Sequence, residues 1–351
     1  MSQRLLVVGP SWVGDMVLAH SLFQVLKQRH PGARLDVLAP AWTHPLLARM
    51  PEVDDAIAAP FVHGRFDLGA RLGLGRELRA RRYDRAIVLP NSFKSALVPF
   101  FARARARTGY IGELRYGLLN DARRLDQDKL PRTVDRFVAL AVGPGEALPA
   151  IPPPRLMADA DKAHAALPRL GHRPPAAPVL GLCPGAEYGP AKRWPAEYFA
   201  DVARAALAAG WEVWLFGSAR DKPETADVQT LTQERCLDLA GRTTLEEAID
   251  LLALTAAVVS NDSGLMHVAA ALERPLVALY GSSDPKHTPP MNARATVLYL
   301  GLSCSPCFER ECPLGHLNCL REIAPGLVLE CLPWAGGKMP GSTGKNGEQT
   351  E

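Results

Sequence analysis

The chain has 351 residues, long for one hydrophobic core and suited to two domains. Its 47% hydrophobic and 22% charged content is ordinary for a soluble globular protein. No apolar run is long enough to cross a bilayer. The start, Met1-Ser-Gln-Arg-Leu-Leu-Val-Val-Gly9, runs into a strand and a glycine turn rather than a signal-peptide core, so a cytoplasmic location is expected. The net charge of +3 is unevenly spread: residues 65–136 hold 17 Lys and Arg against 8 Asp and Glu. That excess suits an acidic partner, and a solvated Arg-rich face accounts for it equally well. No helix-turn-helix, RNP-like or zinc-finger signature accompanies it, so nucleic acid is not the expected partner.

In chain order, the first half alternates strands and helices. Strands are expected at 4–9, 35–39 and 84–90, and helices at 15–28, 69–82 and 92–102. Short strands separated by helices of ten or more residues indicate parallel β-α units. Proline-rich stretches at 147–154 and 173–178 flank one Ala-rich helical segment and mark a linker. The second half repeats the pattern, with strands at 179–183, 211–216, 256–260 and 275–279 and helices at 195–209, 245–254 and from about 263. The expected fold class is α/β, two Rossmann-like domains over 1–165 and 175–333, with a disordered tail at 336–351.

Open α/β sheets bind ligands beyond the carboxyl ends of their strands. The turns there are Gly9-Pro-Ser-Trp-Val-Gly-Asp15, Pro90-Asn-Ser-Phe-Lys94, Pro184-Gly-Ala-Glu-Tyr-Gly-Pro-Ala-Lys-Arg193, Gly217-Ser-Ala-Arg-Asp221 and Asn261-Asp-Ser-Gly264. If the domains face each other, all five line one cleft. Asp262, Ser263 and Gly264 open a helix whose unpaired N–H groups attract phosphate, with His267 one turn on. Lys192 and Arg193 precede another helix start and suit a diphosphate. Asp15, after Gly14, reads either as a helix cap or as a general base, with the base reading ahead. Lys94 would hold an acidic group or be solvated. The run Leu97–Phe101, followed by Arg103, Arg105 and Arg107, reads as a core helix with a basic tail, or as a face resting on an anionic membrane. Neither half carries the GxGxxG of a dinucleotide enzyme, which counts against an oxidoreductase.

Cys304, Cys307, Cys312 and Cys319 follow C-x2-C-x4-C-x6-C, with His316 inside. In a cytosolic protein that spacing favours a closed structural zinc or iron site over disulfides, the alternative being free buried thiols.

Gly9–Met16, Pro90–Phe101, Arg115-Tyr-Gly-Leu-Leu-Asn-Asp121, Cys183–Pro195 and Asn261–His267 resemble the ADP-heptose:lipopolysaccharide heptosyltransferases of glycosyltransferase family 9. The likeness is strongest to those acting second in building the inner core, and it runs from about Leu5 to Tyr280. The resemblance implies a GT-B fold, two Rossmann-like domains facing across a central cleft. The N-terminal domain would take the acceptor and the C-terminal domain the nucleotide sugar. It implies inverting transfer of heptose from ADP-heptose to the first heptose of the core, on Kdo-lipid A, with no metal needed for the chemistry. On that pattern Asp15 deprotonates the acceptor hydroxyl, and Lys192 stabilises the leaving diphosphate with the N–H groups of Ser263 and Gly264. Asp262 holds heptose hydroxyls, His267 supports the site, Arg193 joins the donor site, and Asp221 takes the adenosine ribose. Lys94, Ser92 and Arg115 fall on the acceptor side. The enzyme would meet its glycolipid at the cytoplasmic face of the inner membrane. The alternatives are another heptosyl step, or a GT-B protein that binds nucleotide or glycolipid without turnover.

Overall fold

A computed structural model describes residues 3–61 and 65–334. In the first half lie β1 (Arg4–Val8), α1 (Val13–Arg29), β2 (Arg34–Ala39), α2 (His44–Leu47), β3 (Asp55–Ala58), α3 (Leu68–Leu78), β4 (Arg85–Val88), α4 (Leu97–Phe101), β5 (Ala106–Tyr110), β6 (Asp121–Arg123) and α5 (Thr133–Ala139). The second half holds α6 (Ala160–Ala166), β7 (Val179–Cys183), α7 (Ala196–Ala208), β8 (Glu212–Leu215), α8 (Lys222–Leu231), β9 (Leu237–Asp238), α9 (Leu245–Ala253), β10 (Ala257–Asn261), α10 (Gly264–Ala271), β11 (Leu276–Tyr280), β12 (Ala295–Tyr299), α11 (Asn318–Arg321) and α12 (Pro325–Glu330).

The two halves build the same sheet. The first has strand order β3-β2-β1-β4-β5-β6 and the second β12-β11-β10-β7-β8-β9, both parallel. Counted from each sheet's own first strand, both read 3-2-1-4-5-6, the doubly wound order. The central strands are buried on both faces, which is why β1, β7, β10 and β11 are nearly continuous apolar runs. Leu6, Val8, Leu38, Ala86 and Val88 centre one core. Leu180, Leu182, Trp194, Val259 and Val277 belong to the other, which also takes in Cys319 and Leu320.

The division between the units departs from the sequence reading. One unit is Met1–Ala158 with Ala270–Glu273 and Pro285–Ala293; the other is Asp159–Ala269, Arg274–Asp284 and Arg294–Glu351. Residues 159–165 therefore belong to the second unit. The Asp159 amide donates to Asp250 Oδ1 of α9 at 2.8 Å, and Lys162 pairs with Glu246 at 3.0 Å. In the first unit, Leu156 N donates to Ala271 O and Thr133 N to His287 O, at 3.0 and 2.9 Å. Segments so distant in sequence join through backbone bonds that leave no local signal.

The edge strands β3, β6, β9 and β12, the inner strand β5 and helices α2, α5, α8, α11 and α12 were not anticipated; most are short or polar. The expected helix 92–102 is a 3-10 turn, Phe93–Ala96, followed by α4, with Pro99 inside the first turn of α4, where its missing N–H is tolerated. The expected tail at 336–351 lies outside the described residues. Among the described residues no helix is long and apolar enough to cross a membrane.

Candidate active site

In a doubly wound sheet the strand order reverses beside the first strand, leaving a crevice where the flanking loops part. In the first unit that point lies between β1 and β4, and a cavity of about 120 Å³ opens there. Gly9, Ser11, Ala39, Trp42, Arg71, Pro90, Ser92 and Lys94 line it along with apolar neighbours. Asp15 is the third residue of α1. The residue before that helix is Trp12, which makes no side-chain cap bond, so Asp15 is a first-turn carboxylate and not the N-cap.

Arg71 was not anticipated. It is nearly buried, donates to the carbonyls of Phe66 (2.7 Å) and Lys94 (3.1 Å), and stacks 3.9 Å from the Phe61 ring centroid. Nothing local in the sequence separates it from the surrounding arginines.

Arg115 requires a correction. It is 2% exposed, and its guanidinium donates to Tyr110 O, Pro90 O, Ser95 Oγ and Asn91 Oδ1. Its donors brace the turn that carries Ser92 and Lys94, so the guanidinium is engaged within the protein and is not a free cation for an acceptor. Arg107 also turns inward, to Leu118 O and Ala104 O, while Leu97 and Val98 are buried. The run is thus part core and part surface, since Phe100, Arg103 and Arg105 stay exposed.

In the second unit the reversal lies between β7 and β10, and the turns after these strands meet there. Lys192 ends the 3-10 turn Pro190–Lys192 and places its Nζ 2.5 Å from Asp262 Oδ2. Ser283 Oγ donates to the same oxygen at 2.5 Å. Lys192 and Asp262 are thus one ion pair at the start of α10, where Ser263 and Gly264 lie. His267, 5% exposed on the next turn, has its pKa pushed down to about 4, chiefly by burial, with Lys192 lowering and Asp262 raising it. It is neutral at neutral pH.

Asn261 is the residue whose importance the sequence left unread. Fully buried at the end of β10, it accepts from Trp194 N (3.0 Å) and donates to Pro184 O (2.6 Å), so it grips both ends of the Lys192 loop. The remaining donor-side residues are more engaged than expected. Arg193 pairs with Glu224 and reaches Ala186 O at 3.4 Å, which spends much of its guanidinium within the protein. Asp221 accepts from the Ser218 amide and hydroxyl, both at 2.8 Å, in a capping box ahead of α8. Its carboxylate also packs on Gly185, where an added Cβ would sit 2.1 Å from Oδ1.

Two doubly wound units, the first with an open cavity at its strand reversal and the second with a lysine–aspartate pair at a helix start, suit phosphate-bearing ligands. Known proteins sharpen this. The family pattern of glycosyltransferase family 9 (heptosyltransferase) matches residues 71–318. Lipopolysaccharide heptosyltransferase 2 of Salmonella typhimurium is 48% identical over 340 residues, covering 93% of this chain and 97% of that protein. The protein of the same name from Escherichia coli is 48% identical over 338 residues, with the same shares. The structure of E. coli ADP-heptose lipopolysaccharide heptosyltransferase II superposes with a TM-score of 0.84 at 45% identity, over 94% of this chain and 97% of that one. The chain belongs to glycosyltransferase family 9, the heptosyltransferases.

Proposed function

We propose that this protein transfers L-glycero-D-manno-heptose from ADP-heptose to the first heptose of the lipopolysaccharide inner core, with inversion at the anomeric carbon. Asp15 takes the proton of the acceptor hydroxyl, whose oxygen attacks the anomeric carbon. The bond from that carbon to the diphosphate breaks, and its electron pair leaves with ADP. Lys192 and the N–H groups of Ser263 and Gly264 receive the growing charge, a role worth most where donors are fixed in advance. Lys94 and Ser92, lining the first unit's cavity, take the acceptor. Asp262 holds Lys192 in place and, on binding, offers its carboxylate to heptose hydroxyls, while neutral His267 supports it. Asp221 takes the ribose and Arg193 flanks the diphosphate. The acceptor is Kdo-lipid A bearing one heptose, met at the cytoplasmic face of the inner membrane.

The observation that carries this reading is the Lys192–Asp262 pair at the start of α10, 2.5 Å apart at the point of strand reversal. Nucleotide binding alone would not call for the first-turn carboxylate at Asp15, which favours an enzyme over a binding protein. The test is incubation with ADP-heptose and a core acceptor ending in one heptose, followed by mass spectrometry. A gain of one heptose is expected; no gain, or equal gain on an acceptor without heptose, overturns the assignment.

A further inference from the structure

The cysteine segment plays no part in this chemistry, yet it touches the loop that does. Between β12 and α11, residues 300–317 contain no helix or strand. Few backbone bonds hold them, among them Ser305 N to Leu302 O, Phe308 N to Ser282 O, Gly315 N to Cys312 O and Ala191 N to Arg310 O. A stretch this irregular needs another source of order. Cys304, Cys307, Cys312 and Cys319 all line one cavity of about 20 Å³, with His316 and Ser282 beside them. That volume suits a single small occupant. No cysteine of the chain is in a disulfide, and Ser282 Oγ is buried there without a hydrogen-bond partner. Cys319 is anchored in the second unit's core. Among the described residues no group of three or more His, Cys, Asp or Glu side chains stands in an arrangement that could hold a metal ion, so binding requires the cysteine side chains to reorient.

The same segment abuts the Lys192 loop. Tyr188 Oη donates to Phe308 O at 2.6 Å, and Ala191 N donates to Arg310 O at 3.0 Å. The Tyr188 ring lies between the Lys192 Nζ and the Arg310 guanidinium, at 5.0 and 5.2 Å from its centroid. A Cβ on Gly189 would fall 2.4 Å from Arg310 O, so the two backbones are in contact. Ala191 itself lines the cysteine cavity.

We propose that Cys304, Cys307, Cys312 and Cys319 bind one thiolate-preferring metal ion, zinc or ferrous iron, and that this ion holds the Phe308–Arg310 turn as the abutment that positions Lys192. Four sulfur ligands suit either metal, and each thiol gives up its proton on binding. The first half stands on the cysteines alone; the second rests on Lys192 acting at the diphosphate. Tyr188 is then a positioning residue.

The test uses full-length protein purified without metal-affinity resin. Elemental analysis should find about one zinc or iron per chain, iron also giving visible absorbance once air has oxidised it to the ferric state, and removal by chelator should expose four further reactive thiols. Substoichiometric metal, with those thiols reactive from the outset, overturns the site. Stripped protein should lose about tenfold or more in kcat with the acceptor KM unchanged, and regain it with the ion. Tyr188→Phe should lower kcat in the same direction, less strongly, with metal content unchanged. Wild-type kcat in the stripped protein overturns the abutment, and wild-type kcat in Tyr188→Phe overturns the tie to Phe308. If the metal-loaded protein transfers no heptose, the glycosyltransferase assignment fails, and the metal measurement stands by itself.

Discussion

The two units share one strand order and use its point of reversal in opposite ways. In the first, the crevice is an open cavity of about 120 Å³ flanked by Ser92, Lys94 and Arg71. In the second, the equivalent place is filled by Lys192 and Ser283, each bonded to Asp262 Oδ2 at 2.5 Å. The first leaves room for a group that arrives with its own polar surface. The second presents charges already oriented by the protein, the arrangement that the proposed stabilisation of a leaving diphosphate would use. A common scaffold supplies the location, and the side chains after each strand decide between reception and preorganisation.

That contrast can be broken in graded ways. The largest effect is expected from Asp15→Ala: kcat should fall at least ~10²-fold while ADP affinity, read by calorimetry, stays the same. Loss of ADP affinity there would move Asp15 to the donor. Next, Lys192→Ala should cost roughly 10² in kcat and weaken ADP binding. It also leaves the buried Asp262 carboxylate without its cation, so the melting temperature should drop; unchanged kinetics would remove Lys192 from the mechanism.

Arg115→Ala tests the correction made above. Stripping the carbonyls of Tyr110 and Pro90 of their donor should destabilise the fold by about 3 kcal/mol in a urea titration, with the acceptor KM little altered at temperatures where the protein stays folded. A large rise in KM at unchanged stability would restore Arg115 to the acceptor site. His267 gives a pH signature of comparable size. Its folded pKa of about 4 lies below the ordinary 6.5, so the unfolded chain binds more protons between these values. The stabilising contribution is complete above pH 6.5 and is lost as pH falls toward 4, by about 3 kcal/mol in all. Denaturation midpoints of His267→Gln should be flatter across that window; a slope equal to wild type would assign the dependence elsewhere. The smallest effect is expected from Lys94→Ala, a few-fold rise in acceptor KM with kcat and ADP affinity near wild type, since one cation at an open cavity is screened by solvent.

Much of the sheet was readable because buried parallel strands must be apolar runs: β7 was read residue for residue at 179–183, and β1, β2, β10 and β11 to within a residue or so at each end. The edges were not, because a strand paired on one side, such as Asp121–Arg123, is short and polar and owes its shape to its neighbour. Site residues were legible where turn chemistry is local, as at Asp262–Gly264, where α10 begins one residue past the expected start. They were illegible where a side chain's role is set by its partners. Arg115 and Arg193 look like the free cations of a site until their acceptors are seen, and Asn261 looks like one more polar turn residue until it bridges Pro184 and Trp194.

By itself, then, the sequence determined the class of fold, the ends of strands at which chemistry occurs, and the family to which those turns belong. These follow from period, turn residues and helix starts, which act over a few neighbouring positions. Only the tertiary structure decided that Lys192 and Asp262 form one pair, that Asp15 lies within its helix rather than capping it, that Arg115 is a brace, and that the cysteine segment touches the Lys192 loop. Each of these depends on groups far apart in the chain meeting in a buried place, where an unpaired charge or donor is costly and the partner found there fixes what the residue does.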